Sequence, residues 1–95
     1  MASDDDPLIR RLREQVSDND RAIVEAMNRR LELVDRLWRY KRERELEVLD
    51  PERERWMLRY LARANRGPLS TAGLEELYGT VLELTKKELR GRDAG

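Results

Sequence analysis

Apolar residues recur along this chain with a helical period and nowhere with the alternation of a strand. From Pro7 to about Glu43 the sequence has no interior Gly or Pro. Stepping its residues by 100° gathers Ile9, Leu12, Val16, Ile23, Ala26, Met27, Leu33, Val34, Leu37 and Trp38 on one stripe. That pattern predicts a single long amphipathic helix. Asp50-Pro51 pairs a capping carboxylate with a proline at the first helical position, and predicts a second helix over about residues 51–65. Its apolar residues Trp56, Met57, Tyr60 and Leu61 are expected inward, and Asn65-Arg66-Gly67-Pro68 is its stop signal. Ser70 or Thr71 caps a third helix, which is expected to run to about Arg90 and close at Gly91. Its inward face holds Leu74, Leu77, Tyr78, Val81, Leu82 and Leu84, with Thr85 and Glu88 also on it.

Residues 1–6 lack apolar periodicity and read as a disordered acidic tail whose last residue, Asp6, caps the first helix. Residues 91–95 read as a C-terminal tail, leaving one domain over residues 7–90. The predicted fold class is all-α, with one long helix and two shorter ones. A helix from Pro7 to Glu43 is ~55 Å long, whereas a compact globule of this chain length has a radius of gyration of about 12 Å. The two shorter helices cannot cover the stripe along its whole length. The remainder is an apolar strip that a monomer rarely tolerates. A second copy of the long helix packed alongside removes it, so an intertwined homodimer is expected.

Composition narrows the chemistry. The chain of 95 residues is 42% charged, with 20 basic and 20 acidic residues and no net charge. Both signs alternate on the polar face of the first helix, so no basic field exists to hold nucleic acid. Cysteine and histidine are absent, which excludes disulfides, thiolate or imidazole metal sites, and a Cys–His nucleophile pair. No apolar run is long enough to span a membrane and no signal-peptide pattern is present, so the expected compartment is the cytoplasm.

One feature of the stripe demands chemistry. Arg30 and Lys41 fall in its middle, on nearly the same bearing as Leu12 and Ile23, and Arg13 lies at its edge. Buried cations without partners cost several kcal/mol each, and an anionic ligand inside a helical bundle compensates both. They lie three helical turns apart, ~16 Å along the axis, so their long side chains can grip opposite ends of a small dicarboxylate. Arg13 is about 25 Å from Arg30 on the same rod and can join only from an antiparallel partner. Asp50, Arg53 and Glu54 open the second helix, while Thr85 and Glu88 bring a hydroxyl and a carboxylate from the third. The plainer alternative is a helical dimerisation module in which the buried cations merely set register, with Lys41 snorkelling to water.

Together these residues resemble the small all-helical (type II) chorismate mutases, over about Leu8 to Leu89. The matching elements are Leu12-Arg13-Glu14, Asn28-Arg29-Arg30, Lys41, Asp50-Pro51-Glu52-Arg53-Glu54, and the Leu77-Tyr78…Val81-Leu82…Thr85 pattern. The resemblance implies a domain-swapped dimer with two active sites that rearranges chorismate to prephenate without metal or cofactor, on the route to phenylalanine and tyrosine. It also implies roles: Arg30 and the partner's Arg13 clamp the carboxylates, and Lys41 binds the ether oxygen. Asp50 and Glu54 hold the ring hydroxyl, Arg53 braces the site, Thr85 adds a hydrogen bond, and Leu37, Met57 and Leu82 form dry walls. Isochorismate pyruvate-lyases and amino-chorismate mutases use the same pocket and stay open as alternatives.

One position departs from the family pattern. A Gln or Glu usually follows four residues after the position of Thr85, as a second donor to the ether oxygen; here that residue is Leu89. Helical bearing places Glu88 nearer the centre of the stripe, so Glu88 is expected to take the role. Otherwise the departure implies weak activity, or dependence on an activating enzyme of the shikimate pathway.

Overall fold

The computed structural model describes residues 6–94, with side chains described from 6 to 91. The acidic tail expected over residues 1–6 therefore lies outside the described residues except for Asp6. Three helices follow one another, α1 (Pro7–Glu43), α2 (Pro51–Ala64) and α3 (Thr71–Ala94), with no strand among the described residues.

Each helix begins on a side-chain cap. Asp6 Oδ1 accepts from the backbone N–H of Leu8 at 2.8 Å and of Ile9 at 3.4 Å, with Pro7 in the first helical position. Asp50 Oδ1 accepts from the Arg53 N–H at 3.0 Å, with Pro51 following. Ser70, rather than Thr71, caps α3: its Oγ accepts from the Gly73 N–H at 3.0 Å. Between α2 and α3, Asn65 donates its side-chain N–H to the Leu69 carbonyl at 2.8 Å and accepts from the Gly67 N–H at 3.1 Å. Gly91 was expected to close α3, but the helix continues to Ala94. Glycine terminates a helix by adopting positive φ. No described glycine does so here.

The end of α1 is less ordinary. The Leu46 N–H donates to the Lys41 carbonyl at 2.8 Å and the Glu45 N–H to the Arg42 carbonyl at 3.1 Å. These are the two bonds of a Schellman motif, with Glu45 at the left-handed position (φ 58°) where glycine is preferred. A side chain there costs about 1–2 kcal/mol. Glu45→Gly is accordingly expected to stabilise the fold by about 0.5–1 kcal/mol, after the added freedom of the unfolded chain is subtracted. Thermal unfolding at matched protein concentration checks this, and an unchanged or lower midpoint would contradict it.

By internal packing the chain forms two units, Met1–Arg30 and Leu31–Gly95. In the first, α1 carries Leu8, Leu12, Val16, Ile23 and Val24 exposed, with only Ile9, Met27 and Arg30 half-buried. In the second, the core consists of Leu31 and Trp38 from α1 and Leu74 and Leu89 from α3, with Asp35 and Thr85 buried among the polar residues. Asp35 is held by Arg39, whose Nε donates to Oδ2 at 3.1 Å. From α2, Met57, Leu58, Leu61 and Ala62 are half-buried.

The buried arc differs from the expected stripe. Leu31, Val34, Asp35 and Trp38 define it, a bearing rotated by roughly 70° from the stripe centre. Leu33 and Leu37, expected inward, are at least half exposed. The apolar arc of α1 is thus wider than the cover this unit supplies. On α2, Trp56 and Tyr60 also turn outward, their rings stacked at 5.4 Å and 6°. On α3, Leu77 and Leu84 are exposed, because the inward residues follow Leu74, Tyr78, Val81, Thr85 and Leu89.

Candidate active site

Lys41 sits in the last turn of α1 and is held at two points. Its carbonyl accepts from Leu46, and its ammonium, half-buried, donates to the Val48 carbonyl at 3.4 Å. The Schellman turn therefore folds the following loop back over this side chain. A carbonyl partner carries no charge to set against the ammonium, which keeps capacity for an anionic group.

Asp50, Arg53 and Glu54 share the first turn of α2, where backbone N–H groups favour negative charge. They do different things. Asp50 caps the helix through one carboxylate oxygen. The Arg53 guanidinium lies over the Trp56 ring, 4.5 Å from its centroid, and lines a surface depression with Asp50, Glu52, Arg55, Trp56 and Arg59. Glu54 is half-buried and reaches α3: Lys86 Nζ lies 3.3 Å from its Oε1.

Thr85 precedes Lys86 on α3. It is 3% exposed and donates its hydroxyl to the Val81 carbonyl at 2.7 Å. One turn on, Glu88 does not take the inward position expected of it. Glu88 is exposed, whereas Leu89 is fully buried at 0%. The inward register set by Leu74, Thr85 and Leu89 is centred roughly 70° round the helix from Glu88, which leaves that carboxylate at the edge of the buried face. Position 89 thus meets the interior with an apolar side chain.

Arg13 and Arg30 belong to the other unit. Arg30 is half-buried, and Arg13 lines a shallow surface with Arg10, Glu14, Ser17 and Asp18. The structure thus brings together Glu54 and the Thr85–Lys86 segment, and groups Asp50, Arg53 and Glu54 on one helical turn. Two charged residues gain a place here that the sequence pattern does not give them. Asp35 is legible as an i,i+4 partner of Arg39, but nothing in the sequence marks it as buried. Lys86 shows there only as a cation beside Thr85, since its partner lies on another helix. Among the described residues, no helix is long and apolar enough to cross a membrane.

Comparison with known proteins agrees with this geometry. The family described as chorismate mutase type II matches residues 12–89. Two solved structures of a chorismate mutase from Thermus thermophilus are similar. Form I has a TM-score of 0.78 and 31% identity, covering 81% of this chain and 96% of that one. Form II has a TM-score of 0.81 and 29% identity, covering 86% and 93%. No curated protein matches significantly. With a matching fold of three helices and a family match that spans every candidate site residue, the chain belongs to the type II chorismate mutase family of isomerases.

Proposed function

We propose that the chain converts chorismate to prephenate as a homodimer in the cytoplasm, with Arg13 supplied across the dimer. The observation that carries this reading is the family match over residues 12–89, a span that includes Arg13, Arg30, Lys41, Asp50, Arg53, Glu54 and Thr85. The reaction breaks an ether C–O bond and forms a C–C bond within one molecule, so it requires no nucleophile. Catalysis comes from holding the substrate in its reactive chair and from placing positive charge where the ether oxygen becomes negative.

In this reading Arg30 and the partner's Arg13 bind the substrate carboxylates, for which a planar fork is suited. Lys41 faces the ether oxygen and the adjoining carboxylate. Glu54 and Asp50 accept from the ring hydroxyl, Arg53 braces the turn, and Thr85 contributes a hydrogen bond at the apolar wall of Leu37, Met57 and Leu82. Glu88 lies off the buried face of α3, so this reading gives the role expected of it to no residue of α3. With Leu89 inward, Lys41 stands without the second donor usual in the family. That favours a slow enzyme, or one accelerated by a partner from the same pathway. The dimer is supported by the exposed apolar residues Leu12, Val16, Ile23, Leu33 and Leu37 on α1, which a second copy would cover.

The test is direct. Purified protein incubated with chorismate is expected to form prephenate with no added metal or cofactor. Absence of prephenate at high enzyme concentration, or pyruvate release from isochorismate in its place, would sink the reading.

A further inference from the structure

Among the described residues of α3, Lys86 is an inward-reaching charge for which the reaction above has no use. Its ammonium lies 3.3 Å from Glu54 Oε1, with the two side chains only 23% and 29% exposed. The pair joins two helices that pack on each other, so it is not a local i,i+4 contact of the kind that decorates a solvated face. We infer that Lys86 sets ring-substituent specificity, by neutralising Glu54 so that the site accepts a ring hydroxyl and rejects a ring ammonium. This inference rests on the proposed contact between Glu54 and the substrate ring.

A carboxylate engaged at one oxygen by an ammonium keeps lone pairs on the other. It can accept a hydrogen bond from a neutral hydroxyl there with no change in the charge of the cluster. An ammonium in the same place makes a second cation on one carboxylate, about 6 Å or less from Lys86 Nζ. Partial burial leaves little water to screen that repulsion. An unpaired Glu54 would do the opposite and favour the cation. Discrimination of this kind works by placing a repulsive charge against the wrong substrate. Lys86 also removes a negative charge that would otherwise repel a dicarboxylate, so its loss raises KM for both substrates. Because it acts through Glu54, Lys86 is a positioning residue.

The experiment compares kcat/KM for chorismate and for the analogue with an amino group in place of the ring hydroxyl. Wild type, Lys86→Met and Lys86→Arg are each assayed, with helix content and melting temperature recorded. The wild type is expected to prefer the hydroxyl compound. Lys86→Met should shift the preference ratio toward the amine by roughly tenfold or more, while Lys86→Arg keeps the wild-type ratio. A purely structural role would lower both rates and leave the ratio unmoved, and that result would overturn the inference. If Lys86→Met does not fold, Lys86→Gln carries the same test. Failure of the underlying reading shows itself separately: wild type without chorismate turnover, or Glu54→Gln with undiminished turnover, removes the proposed site itself and the inference with it.

Discussion

Replacing Lys41 with alanine is expected to lower kcat by about 10²–10³-fold with a much smaller change in KM. The asymmetry follows from the charge distribution along the reaction. The ether oxygen is neutral in bound chorismate and gains negative charge only as its C–O bond breaks. A cation facing it therefore binds the transition state better than the ground state. The side chain is suited to that task because it is restrained before substrate arrives. Its stem leaves the last turn of α1, and its ammonium is steered by the Val48 carbonyl at 3.4 Å. With Leu89 buried and apolar four residues past Thr85, no neighbouring side chain at that position shares the load. Lys41→Arg is expected to recover part of the activity, since it restores charge but replaces a compact ammonium with a longer planar fork. Steady-state kinetics on Lys41→Ala, with helix content verified by circular dichroism, makes the comparison. A kcat within about threefold of wild type would remove Lys41 from the transition state.

What the sequence could and could not tell follows from how far each signal reaches. Caps and stops are local, and Asp6, Asp50 and Asn65 were readable because each acts on backbone within a few residues. The angular pattern of α1 was equally plain, yet it could not say which part of its wide apolar arc this chain covers and which it leaves bare. Leu31, Val34 and Trp38 are covered, whereas Leu33 and Leu37 are not, and that choice depends on how α2 and α3 pack. The same limit explains Trp56 and Tyr60, which satisfy each other by stacking on the outside. On α3, Glu88 and Leu89 lie on either side of the centre of a broad stripe, Glu88 the nearer to it. A rotation of one residue decides between them, and burial of the leucine decided it. Glu54 was marked by its place in the Asp50-Pro51 motif, but its partner Lys86 was hidden because no periodicity links residues on different helices. Glu45 escaped notice because a left-handed glutamate follows from the Schellman bonds around it and not from its own preference.

Chains carrying Arg13→Ala and chains carrying Arg30→Ala are each expected to be nearly inactive alone and to regain activity when mixed. Each substitution removes a bidentate carboxylate clamp, whose loss costs about 10²-fold or more by the usual weight of a charge-assisted pair. On one α-helix the two arginines are about 25 Å apart, too far to hold one small molecule. If the partner supplies Arg13, a mixed dimer has one site lacking both arginines and one lacking neither. Random reassociation makes about half the dimers mixed, so the mixture should approach a quarter of wild-type activity. A control uses two residues that one chain contributes to a single site. Lys41→Ala mixed with Glu54→Gln should show no recovery, because every mixed dimer then carries one defect in each site. Recovery in the first mixture but not in the second assigns Arg13 to the opposite chain. Failure of both would place Arg13 and Arg30 outside a shared site, and leave the exposed apolar strip of α1 as an interface without catalytic consequence.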